Sequence, residues 1–223
     1  MRKLLVVVGL GLLALFSAGG VGQARQSAGH HFVITGGTVT IAVSSDLLGV
    51  FAADNATLTA GGGAAMTVTQ TKETILTLSV IGGVRNNAVI ELASSCRCVA
   101  FRTRGTLTLT GNGKKMTLAR PYVNINGITH QATLGFFASD GIQAPTDTSV
   151  VDLPPINLPR SIGGTTFSLA GLAGTVSPNS RGVFKGYEPH LGDPGGGAAP
   201  NYPTDRAVAF GTISMKLKLQ PLH

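Results

Sequence analysis

The chain has 223 residues, of which 43% are apolar and only 12% charged, with 31 Gly, 11 Pro, 2 Cys and no Trp. So little charge beside so many apolar residues excludes an intrinsically disordered chain, Gly without a three-residue period excludes collagen, and two Cys cannot build a disulfide-dense scaffold or a four-Cys zinc site. The formal charge of +7 suits an anionic partner, while scarce Glu, Lys and Arg argue against coiled coils and leave a β-rich, loop-rich globular protein.

The N-terminus reads as an export signal. Arg2 and Lys3 form a positive start, residues 4–16 are an almost unbroken apolar run, and Gly22, Gln23 and Ala24 form a small-x-small cleavage site. That is the layout of a secretory signal peptide over 1–24. A membrane span needs about 20 apolar residues, so this run is too short, and no transmembrane anchor is expected once the signal is removed. Cleavage after Ala24 takes the formal charge from +7 to +5, because Arg2 and Lys3 leave with the signal. Residues 25–30 read as a flexible lead, and 31–223 as a single β-rich domain.

Short Thr-rich runs of period two then follow, at 38–43, 66–69, 74–80, 88–93 and 99–104. Alternation with β-branched enrichment predicts half-buried strands. Thr suits the solvent face, where its branched side chain fits the pleat and its hydroxyl stays wet. Ser45 and Asp46 ahead of Leu47 and Leu48 predict a single capped helical turn. Residues 106–118 predict a hairpin whose register follows from its turn. Asn112-Gly113 is the preferred centre of a type I′ turn. It sets Gly111 opposite Lys114, Leu109 opposite Met116 and Leu107 opposite Leu118, with both apolar pairs on one face. A slip of one residue would break that agreement.

Residues 138–207 are loop-rich. Residues 140–160 hold Pro145, Pro154, Pro155 and Pro159, which predicts an extended connection with a short edge strand. A strand is expected within 167–176 and a long polar loop at 187–205. Residues 208–219 alternate, with Ala209, Gly211, Ile213, Met215, Leu217 and Leu219 on one side. They predict a closing strand. The expected fold class is all-β: an antiparallel β-sandwich with Greek-key-like connections and a long C-terminal loop.

Within residues 105–125 a Thr/Leu strand ends at Thr110 and Gly111, turns into a strand through Leu118, and continues past Pro121 into an alternating strand. Together with Ile81, Gly82 and Gly83, this text resembles secreted actinobacterial β-rich domains, the Hta-type haem-uptake domains and their relatives, over about 75–137. The resemblance implies a secreted β-sheet fold. The family's haem-binding Tyr lies in an aromatic-rich segment near the domain start, which has no match here, and the His of its hairpin turn would fall near Asn112. Tyr122 and His130 form a Tyr/His pair in the same region at other positions.

Four groups of residues are candidates for chemistry. Cys96 and Cys98 in an exported chain meet oxidising conditions, which favours a disulfide, although Cα atoms two apart on a strand stand about 6.5 Å apart, near the limit of disulfide reach. Metal binding by the two thiolates and redox catalysis are the other readings. Arg97, Arg102, Arg104, Lys114, Lys115 and Arg120 concentrate positive charge, either to meet an anionic surface or to protect a sheet edge. Tyr122 and His130, and separately Glu188, His190 and Asp193, are candidate ligands for haem or a metal. Nucleic acid is not expected, because aromatic stacking platforms are lacking.

Catalytic signatures are missing from the text: there is no G-x-S-x-G elbow, H-E-x-x-H motif or P-loop. The sequence therefore predicts a non-catalytic binding or structural module of the cell envelope or extracellular space. Its expected partner is an anionic surface polymer or an envelope protein. A carrier of a small ligand or metal, haem included, is the second reading, and a secreted hydrolase the third. No resident cofactor is predicted.

Overall fold

The type I′ hairpin appears in the expected register. β7 (Thr106–Gly111) and β8 (Lys114–Asn126) pair Gly111 with Lys114, Leu109 with Met116 and Leu107 with Leu118. Asn112 and Gly113 have φ of 50° and 70°, as the turn demands. Leu107, Leu109, Met116 and Leu118 are all buried. The computed structural model describes residues 31–92, 97–139, 146–181, 184, 198–203 and 205–222. The export signal, the lead, Cys96, Glu188, His190 and Asp193 lie outside the described residues.

The remaining strands are β1 (His31–Val43), β2 (Thr57–Gly61), β3 (Ala65–Val68), β4 (Thr74–Ile81), β5 (Val89–Glu91), β6 (Cys98–Arg104), β9 (Gln131–Ser139), β10 (Thr146–Leu153), β11 (Thr166–Val176) and β12 (Ala209–Pro221). Every pairing is antiparallel. From β7 to β12 the strands neighbour one another in chain order, and β12 returns to β1. β1 pairs on its other flank with β4 and β5. These two behave as one interrupted strand, because both also pair with β6. Residues 84–87 are thrown out between them, and the loop is pinned by Gly83 N donating to Ile34 O at 2.8 Å and Ile34 N donating to Ala88 O at 2.9 Å. β6 pairs with the second half of β8, which closes the circuit as an eight-stranded barrel. β2 on β7 and β3 on β4 are additions to it.

The sandwich with Greek-key connections is therefore replaced by a meander closed on itself. Alternation placed the buried face correctly in most of the predicted strands, though not at 66–69, where Val68 is exposed, and it carries no information on which strand is the neighbour. Closure also pairs edges that an open sheet would leave bare. The expected edge strand in 140–160 is β10, which is internal and pairs with β9 and β11. Pro154 and Pro155 follow its last residue and remove no ladder bond. β2 and β9 were not singled out from the sequence at all.

Ile34, Val39, Ile41, Leu76, Leu78, Ile90, Val99, Phe101, Ile125, Leu134, Phe136 and Leu217 are buried. Eight strands leave an interior just wide enough for side chains to fill. The outward positions carry Thr, Asn, Lys and Arg, the reverse of a membrane barrel with its apolar outer band. No helix among the described residues is long and apolar enough to cross a membrane. In β12 the expected inward side holds from Gly211 to Leu219, but Ala209 is exposed and Phe210 buried. The alternation changes phase at Gly211, where φ is 149° and the pairing with β11 slips.

The predicted helical turn is a nine-residue helix, α1 (Ser45–Ala53), and its cap is Ser44 rather than Ser45. Leu47 N donates to Ser44 Oγ at 3.0 Å, satisfying one of the first-turn amides. Its extension beyond the predicted turn escaped a sequence reading because its apolar residues lie all round, while only Leu47 and Phe51 are buried. Phe51 packs against Phe184 and Tyr202 with ring centroids 5.5 and 6.3 Å away, as part of the buried core. Arg206 ties the segment before β12 to α1 through a forked bond to Asp46 at 2.9 and 3.0 Å. The guanidinium holds the Asp46 carboxyl below its usual value.

Candidate binding groove

The site begins with a bulge. In the first half of β8 the even-numbered residues Met116 and Leu118 point inward, and in the second half the odd-numbered Pro121, Val123 and Ile125 do. The change occurs at Arg120, which has φ of 50°. Across it β9 spends two steps, from Phe137 to Gly135, where β8 spends three, from Ala119 to Tyr122. One extra residue of this kind re-aims everything after it. Tyr122 and Asn124 consequently face outward. A Cβ at Gly135, the partner of Tyr122, would run into the end of the phenol ring. The ring therefore lies across a residue with no side chain of its own.

Around Tyr122 the wall forms a cavity of about 190 Å³. Its floor is Tyr122 and Phe137, with Arg102 directly across from Tyr122 on β6. Asn124 on β8 and Asp147 on β10 line it further, and Asn86 and Asn87 of the ejected loop stand at its edge. The Tyr122 hydroxyl donates to Asp147 Oδ1 at 2.7 Å. Arg120 lies over the Phe137 ring with its guanidinium carbon 5.9 Å from the centroid, within cation–π range. Arg102, Arg104 and Arg120 are all exposed.

Burial, and after it the bond to Asp147, pushes the Tyr122 phenol from 10.0 up to about 12. The folded state thus keeps this proton longer than the unfolded chain does. Its contribution to stability is complete below pH 10.0 and is lost as pH rises through about 12. Asp147→Asn is expected to lower the Tyr122 titration without returning it to the unfolded value, because burial, the larger cause, remains. A phenolate absorbance titration checks this, and an unmoved Tyr122 would show that Asp147 has no part in the shift.

The predicted basic residues separate into groups. Arg102 lines the groove, Arg120 lies over its Phe137 ring, and Arg104 is two residues along β6 from Arg102. Lys114 and Lys115 are exposed at the hairpin turn, and five strand positions separate Lys115 from Arg120, about 17 Å. Arg97 is turned toward the segment after β10 and donates to the Leu158 carbonyl. Tyr122 and His130 are not brought together: His130 lies in the turn between Asn126 and Gln131, about 13 Å further along the strand. Cys98 opens β6 opposite Glu91 and Asn126, while the expected bridge also involves Cys96, outside the described residues. Among the described residues no three His, Cys, Asp or Glu side chains gather as a metal ion would need.

Sequence reading missed Phe137, Asp147, Asn86, Asn87 and Asn124. One signal was present for the loop: Arg85, Asn86 and Asn87 follow Gly82 and Gly83 and interrupt apolar strand text with polar residues. Asp147 carried no signal, because a distant strand supplies it.

The barrel with its bulged β8 can be set beside known structures. Its fold is that of the C-terminal domain of HtaA from Corynebacterium glutamicum. The two align with a TM-score of 0.53 and 16% identity, over 85% of this chain and 99% of the HtaA domain. At that identity the likeness is one of fold, and the similarity to Hta-type domains expected over about 75–137 holds at that level across most of the chain. No family model and no curated protein matches the chain.

Proposed function

We propose that this chain is an exported, non-catalytic binding module of the cell envelope or extracellular space, and that it holds an anionic surface polymer on the outer wall around Tyr122. The observation that carries the reading is the groove itself, in which Arg102 stands across from Tyr122 and Arg120 lies over Phe137, with Arg104 two residues along β6 from Arg102. Asp147 is the single carboxylate among the described residues that line the groove. The packed interior supports an outside site, since the barrel axis is filled with apolar side chains. The signal-peptide layout of residues 1–24 supports export.

Attraction of this kind is screened by salt, with a Debye length of about 10 Å at 0.1 M and about 3 Å at 1 M. The purified chain is expected to be retained on an immobilised anionic glycan at low salt and released as ionic strength rises. Retention unchanged at 1 M salt would overturn the reading.

A second reading is carriage of a haem-type small ligand, favoured by the fold likeness to the HtaA domain together with the Hta-type resemblance in the sequence. Haem titration reads it directly: a Soret band that saturates at one equivalent supports carriage, and its absence removes it.

A further inference from the structure

We propose that the groove takes one acidic sugar ring, a uronate-type pyranose within an anionic polysaccharide. This rests on the anionic-polymer reading and narrows it to a ligand class.

Size is the first argument. Pockets for drug-sized ligands run from about 300 to 1,000 Å³, and this one measures about 190 Å³, which suits a single small ring. Chemistry is the second. Tyr122 and Phe137 present ring surface to the C–H face of a pyranose. A carboxamide carries both donors and an acceptor, matching hydroxyls that also do both, and Asn86, Asn87 and Asn124 place three of them at the cavity. The Asn86 side-chain nitrogen is held by the Gly82 carbonyl at 2.7 Å, which fixes how that amide is presented. Asp147 accepts hydrogen bonds only, so it suits the hydroxyl donors of a sugar. A purely phosphate-bearing chain would leave the carboxylate and three amide carbonyls without use.

Charge supplies the acidic preference. A planar guanidinium binds a carboxylate through two parallel bonds, and Arg102 is exposed at the groove. Arg104 follows two residues along the same outward face, about 7 Å further, where the next ring of a polymer would lie.

The test is calorimetric titration of the full chain at low salt with three probes: a galacturonic acid hexamer, a neutral galactose hexamer, and a polyphosphate of equal charge. The uronate hexamer is expected to bind about tenfold more tightly than either other probe. Phe137→Leu and the exposed Asn124→Ala are each expected to weaken the uronate about fivefold or more and to weaken polyphosphate by clearly less, with circular dichroism confirming the fold. Polyphosphate bound as tightly as the uronate, or variants without effect on the uronate, would overturn the sugar assignment and leave the anionic-polymer reading standing. Binding of neither anionic probe would overturn both.

Discussion

Gly37→Ala is expected to destabilise the protein by about 3 kcal/mol or more, out of a total of about 5–15 kcal/mol for a typical domain. Gly37 sits in β1 opposite Leu217 of β12 and has φ of 142°, a conformation that L side chains rarely adopt. A Cβ there would strike the Lys216 carbonyl oxygen and lie 2.9 Å from Leu217 Cα. Both atoms are backbone, so no side chain can step aside and the ladder itself must move. That ladder joins the first and last strands of the barrel. Gly36 is the control: an added Cβ there meets nothing within 4 Å, and Gly→Ala at a compatible position is neutral or stabilising by about 0.4–1 kcal/mol. Denaturant midpoints compare the two, and equal midpoints would refute the argument.

Gly135→Val is expected to leave the barrel folded and disable the groove. Here the obstacle to a new side chain is the end of the Tyr122 ring, which is half-exposed and able to swing outward. Stability should fall by about 1 kcal/mol, as is common for a single substitution. The bond from Tyr122 to Asp147 is lost, and Tyr122 is drawn back from about 12 toward 10.0. Binding of an anionic glycan should drop about tenfold or more. Retained affinity in a folded Gly135→Val protein would show that the Tyr122 ring position does not matter to the ligand.

The two variants differ because backbone obstacles are rigid and ring obstacles are not. Much of the local structure behind them was readable in advance. The 107–118 register followed from Asn112-Gly113 together with two apolar pairs, since turn and alternation demand the same alignment. The inward side of β12 was right from Gly211 onward and failed only before the phase change at that glycine. Arg102, Arg120 and Tyr122 were named as residues of interest. Their common site was not foreseen, because it depends on a one-residue bulge at Arg120 and on Asp147, which β10 brings from 25 residues away.

By itself, the sequence determined the all-β class, most of the strands, the hairpin register and a basic stretch on a polar outer face. Those properties are local: they depend on period, turn chemistry and charge within a few residues. Only the tertiary structure decided that the sheet closes into a barrel and that β10 is internal. It likewise turned Tyr122 outward over Gly135 to meet Asp147. Strand neighbours are chosen by long-range packing and closure, and an alternating run reads the same whether its partner is the next strand or the last.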